Sequence, residues 1–447
     1  AMRECSVYLF AEETGNEEVR KLYKEKIRTW VTNLYRKGMG EWDSNNYLHH
    51  TFTGYIQLYD FAKDPEVKAL GKAALDCISA SAALKYYRGD FGGPSKRDYG
   101  GKRAYGSNSA NGFSLYFGDC PFESPNPDRD DVHVITSAYR PPLAVVALAR
   151  KQIKKPVEVF ASKPIYNVWD MKEGDGPAFF ETQFIANSYQ LGTLSQGSSG
   201  DMNGFKLMVF NSKLGTDDLY CSTAAGTDSK AVSTGSAGGD QVAQYRNLAI
   251  FLNNKNNIPF NFYLPKTVQI EHKGDLTFLK FEKTYVVLHR INMAFTDKQT
   301  EVLKDKKDKP GTGLDLIFHA SATGGPFSGF AMEIGEQESH GSYEQFKAAI
   351  ADKAKLNLAG LEKGLVEYQG AAGGKVALQY NPGGQPTVWR NGTQHDFAKH
   401  WPLWQGTEGN PSPITLGWKQ GTLKVEAGGH TFTCTVTPEG KVSFENK

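Results

Sequence analysis

Residues Asp64 to Tyr105 read DPEVKALGKAALDCISASAALKYYRGDFGGPSKRDYGGKRAY and join the clearest helix of the chain to its densest cluster of cations and phenols. Asp64-Pro65-Glu66 is a helix start. An Asp at the N-cap accepts from the first-turn amides, and a Pro at the first helical position gives up no donor that the helix needs. Val67, Leu70, Ala74, Ile78 and Leu84 then recur at helical spacing until Gly89 stops the helix. The segment Gly92 to Tyr105 that follows sets Lys96, Arg97, Lys102 and Arg103 beside Tyr99 and Tyr105 on a loop punctuated by glycine. Glycine permits special backbone angles, and loops held on a rigid scaffold are where function concentrates. A solvated basic turn is the plainer alternative.

Upstream, Val19, Leu22, Tyr23, Ile27, Trp30, Val31 and Leu34 mark an amphipathic helix over about residues 16–37, ended by Gly38 and Gly40. GEWDSNN (Gly40 to Asn46) reads as a loop, and Leu48, Phe52, Tyr55, Ile56 and Tyr59 resume helical period to about Ala62. Two shorter helical pieces are expected over 130–139 and 143–152, broken by Pro141-Pro142. The segment 1–155 is therefore expected to be an array of antiparallel helix hairpins, of the kind found in an α/α toroid.

From Pro156 the texture changes. Short β-rich runs such as Val157 to Phe160, Phe179 to Ile185, Phe205 to Phe210, Leu248 to Leu252 and Tyr285 to His289 alternate with Gly, Asn, Asp and Ser clusters. No helical pattern alternates with them, so a large antiparallel β-sandwich over 156–310 is expected. Lys298 to Lys309 reads as a charged connector. Residues 311–447 are expected to form a β-rich unit or closing sheet with one helix, beginning at Ser342. The fold class is thus α+β and multidomain, as a length of 447 residues already implies.

Composition narrows the function. The net charge of +2 argues against a nucleic-acid coat, so attraction for an anion must be local. Aromatic residues at 12% exceed what a core requires and suit a protein that stacks sugar rings. The five cysteines show neither CxxC spacing nor an even count, so neither zinc ligation nor a complete disulfide framework is indicated. No apolar run is long enough to span a membrane. The start, Ala1-Met2-Arg3, lacks the apolar stretch of an export signal, so export would require a leader removed from this sequence. No cofactor is required. Asp128, Asp130 and Asp131 could hold a structural Ca²⁺, though a capped or solvated acidic turn is the simpler reading.

The two loops each follow a helix of the same array and are expected to open on one end of it. Together they would gather Glu41, Trp42, Asp43, Asn45, Asn46, Tyr47, His49 and His50 with Lys96, Arg97, Tyr99, Arg103 and Tyr105. That set suits abstraction of a proton next to a carboxylate. The C5 proton of a uronic acid becomes acidic only when its carboxylate is neutralised, which Asn, His or Arg donors can do. A Tyr beside a guanidinium has its phenolate favoured and could act as base and then acid. His49 and His50 diverge by about 100° on a helix, so at most one should face a cleft. Trp42 could instead be core, and Glu41 and Asp43 helix caps.

At these residues the chain resembles the heparinase II/III-like group of polysaccharide lyases. The resemblance rests on Glu41-Trp42-Asp43-Ser44 with Tyr47, on Leu58-Tyr59-Asp60 with Asp64-Pro65-Glu66, and on Gly93-Pro94 with Arg97 and Tyr99. It covers about the first 110 residues, and beyond them only the architecture and Tyr189-Gln190-Leu191-Gly192. It implies a toroid, here partial, joined to β-sandwich domains, and β-elimination on a uronic-acid polysaccharide of alginate, glucuronan or glycosaminoglycan type by a secreted or periplasmic enzyme. By position it makes Tyr99 or Tyr105 the base, Asn46 the neutraliser and His49 or His50 the histidine. Arg97 would assist in catalysis, and Glu41, Trp42, Asp43, Tyr47, Lys96 and Arg103 would bind substrate. Asp43 stands where several relatives have Asn. Two rival readings are an inverting glycoside hydrolase using Glu41 and Asp43, whose carboxyl groups would need to stand about 6.5–9.5 Å apart, and a non-catalytic protein that binds acidic glycan.

Overall fold

The computed structural model describes residues 1–97, 108–119, 131–197, 202–223, 236–256, 258–301, 316–397 and 402–447. Among them the fold is α+β, with helices concentrated toward the N-terminus and several antiparallel sheets beyond.

The helices are α1 (Met2–Thr14), α2 (Glu17–Arg36), α3 (Leu48–Phe61), α4 (Pro65–Lys85), α5 (Asn108–Phe117), α6 (Asp131–Thr136) and α7 (Leu143–Ala149). Their caps follow from sequence. Asn16 accepts from Val19 N at 3.1 Å to start α2, and Asp64 accepts from Glu66 N at 2.9 Å to start α4. Helix α2 turns Ile27, Val31, Leu34 and Tyr35 inward and keeps its Lys and Arg residues outside. Helix α4 is the centre of the array. It packs against α2, α3, α5 and α7, and its Ala-rich sequence lets neighbours approach on nearly every side. Helices α1 and α5 come in addition to those read from periodicity. In α1 Val7, Tyr8, Leu9 and Phe10 form one unbroken run, so no single face stands out.

The largest sheet has thirteen strands. Its central part runs through Gly215–Ser222, Phe205–Asn211, Tyr189–Leu194, Phe179–Ile185 and Val157–Lys163, then continues through Pro402–Gly406 and Ile414–Gly417 to the last strands, Thr422–Ala427, His430–Val436 and Val442–Asn446. At its other edge lies Met293–Glu301, so the start of the expected charged connector is strand. A six-stranded sheet includes Leu248–Asn253, Ser328–Glu336 and Thr284–Ile291. A five-stranded sheet is built from Lys355–Asn357, Leu365–Gln369, Lys375–Gln379, Thr387–Arg390 and Thr393–His395. Two later helices are α8 (Gln337–His340) and α9 (Tyr343–Lys353), the second started by a Ser342–Gln345 capping box.

Among the described residues, three of the larger hydrophobic clusters join these layers. The helices pack on the strands around Val159, Leu416, Val425 and Phe432. The middle of the thirteen-stranded sheet shares Leu191, Leu207 and Phe205 with Phe251, Leu288 and Phe330 of the six-stranded sheet. Behind the latter, Ile250 and Ala331 meet Val366, Tyr368 and Leu378 of the five-stranded sheet. Arg390, buried, pins that last sheet to the largest one through Glu158 and through Glu408 at 2.6 Å.

Candidate functional site

The C-terminus of α4 is buried, where the last carbonyls of a helix need donors and favour positive charge. Lys151 Nζ donates to the carbonyls of Ala83 and Leu84 at 2.9 Å each, and Gln190 Nε2 reaches Leu84 O at 2.8 Å. Burial pushes the Lys151 ammonium well below its ordinary range, with Lys155 and Lys85 adding to the effect. The Gly92 amide donates to Lys85 O, and Lys85 Nζ donates to Pro94 O, both at 2.9 Å. The second loop is thereby fixed to the end of α4.

The same loop is fixed to the largest sheet. Gln183 Nε2 donates to Gly93 O at 2.6 Å, and Ser95 and Lys96 pair with Asn203 and Met202 in a separate two-stranded sheet. A Cβ on Gly192 would lie 2.0 Å from Gly93 O, so the strand carries glycine where the loop crosses it. Of the Tyr-Gln-Leu-Gly segment, Gln190 thus serves the helix end and Gly192 the loop beside it.

Asp43 anchors the first loop. Lys163 Nζ and Ser81 Oγ each donate to its carboxylate at 2.5 Å, and Lys85 Nζ lies 3.8 Å away. Lys85 is in turn 2.6 Å from Glu181, which stands 3.7 Å from Lys163. Two cations and two carboxylates therefore share one buried cluster, tied to both loops. Burial pushes the Asp43 carboxyl up, but Lys163 and Lys85 more than offset it and hold it below the usual carboxylate range. Burial lowers Lys85, which Glu181 and Asp43 only partly restore; at Lys163 the same two carboxylates win, and its ammonium is raised.

Nearer the surface the two loops meet directly. Arg97 Nε donates to Glu41 Oε1 at 2.8 Å, Lys96 N donates to Trp42 O at 3.4 Å, and Lys96 Nζ reaches Gly40 O at 3.3 Å. The Lys96 ammonium lies 5.2–5.5 Å from the ring centres of Trp42, Tyr166 and Phe179, and the Arg97 guanidinium 5.7 Å from Tyr166. Glu41 and Tyr166 also line a pocket of about 170 Å³ with Trp30, Met39, Tyr55 and Trp169. Trp30 and Trp169 stack at 5.6 Å, while Tyr166 and Trp169 remain 45% and 54% exposed. Gly40 lets this wall close, because a Cβ there would fall 1.8 Å from Tyr166 O.

The sequence-derived residues divide by burial. Glu41 and Arg97 stand together at the rim, and Asn46 and His50 are half-buried on the first loop and the start of α3, with Tyr47 and His50 rings 5.9 Å apart. Trp42, Asp43 and Lys96 are buried. His49 is fully buried in the helical layer. It packs edge-on to Phe113 with its Nε2 3.4 Å from Asp131, and neither ring nitrogen finds a hydrogen-bond partner among the described residues. His50 is the one of the pair that turns outward. Tyr99, Arg103, Tyr105, Asp128 and Asp130 lie outside the described residues. Among the described residues no group of three or more His, Cys, Asp or Glu could hold a metal, and no helix is long and apolar enough to cross a membrane.

Sequence reasoning passed over Tyr166 and Trp169, whose signal was two aromatics in a Pro- and Asn-containing loop between strands. It also passed over Lys163, Glu181 and Gln183, charged or amide residues at inward positions of strands that otherwise alternate. No protein-family model, curated protein or solved structure matches the chain.

Proposed function

We propose that this chain is a polysaccharide lyase that cleaves a uronic-acid polymer by β-elimination, outside the cytoplasm. The observation that carries the reading is the Arg97–Glu41 pair at the rim of an aromatic-lined pocket, two residues before Tyr99. A substrate carboxylate can replace Glu41 as the partner of Arg97, because a guanidinium holds either one through the same planar fork. Asn46 and His50 supply further donors for the developing enolate, and the rings of Trp30, Tyr166 and Trp169 offer stacking faces for sugar.

In this mechanism Tyr99, or Tyr105 as the second choice, takes the C5 proton as phenolate. The C4–O bond then breaks, C4=C5 forms, and the departing oxygen receives the proton back from the phenol. No water is consumed. The reading extends to the scaffold: the hairpins of α1 to α4 represent part of an α/α toroid, and the stacked six- and thirteen-stranded sheets a β-sandwich. Their support is the packing of α1 on α2 and of α3 on α4, and the core shared by the two sheets. Asp43, out of solvent and engaged by Lys163 and Ser81, gives no support to hydrolysis through a Glu41/Asp43 pair.

The test is incubation with alginate, glucuronan and glycosaminoglycans while near-ultraviolet absorbance from the unsaturated product is recorded. Tyr99→Phe or Tyr105→Phe should abolish the rise while binding persists. Full activity in both variants would remove the tyrosine base; reducing ends without absorbance would point to hydrolysis; and tight binding with no product would leave a glycan-binding protein.

A further inference from the structure

We infer that the solvent face of the five-stranded sheet is a second binding surface, separate from the cleft between the loops, and that its ligand is a carboxylated polysaccharide. The sheet has two unlike faces. Val366, Tyr368, Val376, Leu378 and Val388 point to the six-stranded sheet and are buried, as strand alternation requires. Residues of the opposite parity line an open groove of about 430 Å³. Cross-strand register orders them. Lys355, Gln369 and Lys375 form one row, and Asn357, Glu367, Ala377 and Trp389 the next.

The chemistry of these rows selects the ligand. Trp389 is on the solvent side, and among the described residues it stacks on no other aromatic ring, so it is not the core tryptophan that alternation would bury. Its cross-strand neighbours are Ala377, too short to cover the indole, and Gln394, itself exposed. A flat, half-buried indole beside a groove is a platform for the apolar face of a pyranose ring. Lys355 and Lys375 are both exposed and flank Gln369 two strand spacings apart, about 10 Å. In the row of the indole, two strands from it, Glu367 accepts from Asn357 Nδ2 at 2.6 Å and presents acceptors suited to sugar hydroxyls. Two ammonium groups, an indole and an acceptor on one shallow surface fit a chain that carries both carboxylates and hydroxyls. A neutral glycan would use the indole and leave the lysines idle; a peptide would find few apolar pockets.

The experiment is affinity electrophoresis of the full chain in native gels containing alginate, polygalacturonate or neutral dextran. Trp389→Ala, Trp389→Phe and the double variant Lys355→Ala/Lys375→Ala are run beside the unaltered chain. Alginate or polygalacturonate should retard the unaltered chain. Trp389→Ala should raise the apparent dissociation constant about tenfold, the scale of one lost aromatic stack. The double lysine variant should weaken retardation comparably and flatten its salt dependence, and Trp389→Phe should retain most of it. Retardation equal in all variants, equal retardation by dextran, or no retardation at all would overturn the inference. So would a concentration-dependent dimer that Trp389→Ala abolishes, since the face would then pair with a second copy. Because the cleft is untouched by these variants, a chain that binds through Trp389 yet yields no unsaturated product keeps this inference and loses the lyase reading. Cleavage with variant-independent retardation does the reverse.

Discussion

Replacing Asp43 with alanine removes one of the two carboxylates that neutralise Lys85 and Lys163. Asp43, Lys163, Lys85 and Glu181 side chains are 2%, 5%, 0% and 0% exposed, so water cannot substitute for the lost anion. The substitution removes the 2.5 Å pair with Lys163 and the 3.8 Å interaction with Lys85, and leaves Ser81 Oγ without this acceptor. Breaking a buried ion pair from one side costs about 3–5 kcal/mol, and an orphaned hydroxyl about 1 kcal/mol more. Against a usual total of about 5–15 kcal/mol this is a large fraction of stability. Removing both partners is a different perturbation. Asp43→Ala/Lys163→Met leaves Lys85 paired with Glu181 and should recover most of the loss, because replacing a whole buried pair by apolar groups is often close to neutral. Urea unfolding followed by tryptophan fluorescence is suited to the measurement, since Trp42 adjoins the cluster. The double-mutant cycle should return a coupling of several kcal/mol. A cost below about 1 kcal/mol for Asp43→Ala, or a double variant as unstable as the two single losses combined, would refute the view that this cluster is a coupled unit.

Gly192→Ala should cost about 1–3 kcal/mol, because its Cβ would meet Gly93 O at 2.0 Å and Gln183 Nε2 at 2.3 Å. Turnover of uronate polymer should fall further than melting temperature, and unchanged turnover would separate this contact from the site. Asp76 is buried between Lys72 at 2.6 Å and the Tyr139 hydroxyl at 2.9 Å, and burial raises its carboxyl to about 6 despite both partners. The folded chain therefore holds this proton where the unfolded chain releases it. Its contribution to stability declines as pH rises from about 4 to 6, by at most about 3 kcal/mol. Asp76→Asn should flatten that part of the stability profile, and parallel profiles for the two proteins would contradict the assignment.

The helices that sequence made legible were those with a cap and a one-sided pattern. Asp64-Pro65 began α4 and Gly89 followed its end; Ser342 began α9; Ile27, Val31 and Leu34 defined the inner face of α2. Helix α5 was hidden because Asn108, Asn111 and Gly112 read as a loop, and burial of Phe113 and Phe117 against α3 and α4 overrides that local preference. The pairing of the two loops could be anticipated from their places after two helices, α2 and α4, of the same array. Their attachment could not, because Lys163, Glu181, Gln183 and Gln190 lie 90 to 120 residues away in sequence from the loop and helix-end groups they hold, and local pattern carries no trace of such partners. The same limit applied to His49, whose burial against Phe113 depends on a helix that local reading did not find.

The strands Thr422–Ala427 and His430–Val436 form part of the surface on which α2, α4 and α7 rest. During synthesis those helices emerge first, while the residues that cover them follow only after some 270 more have been translated, an interval on the order of tens of seconds at ordinary elongation rates. Until then the faces of α4 and α7 that later meet Val425 and Phe432 have no native cover. The nascent chain is thus exposed to premature association through its own helices.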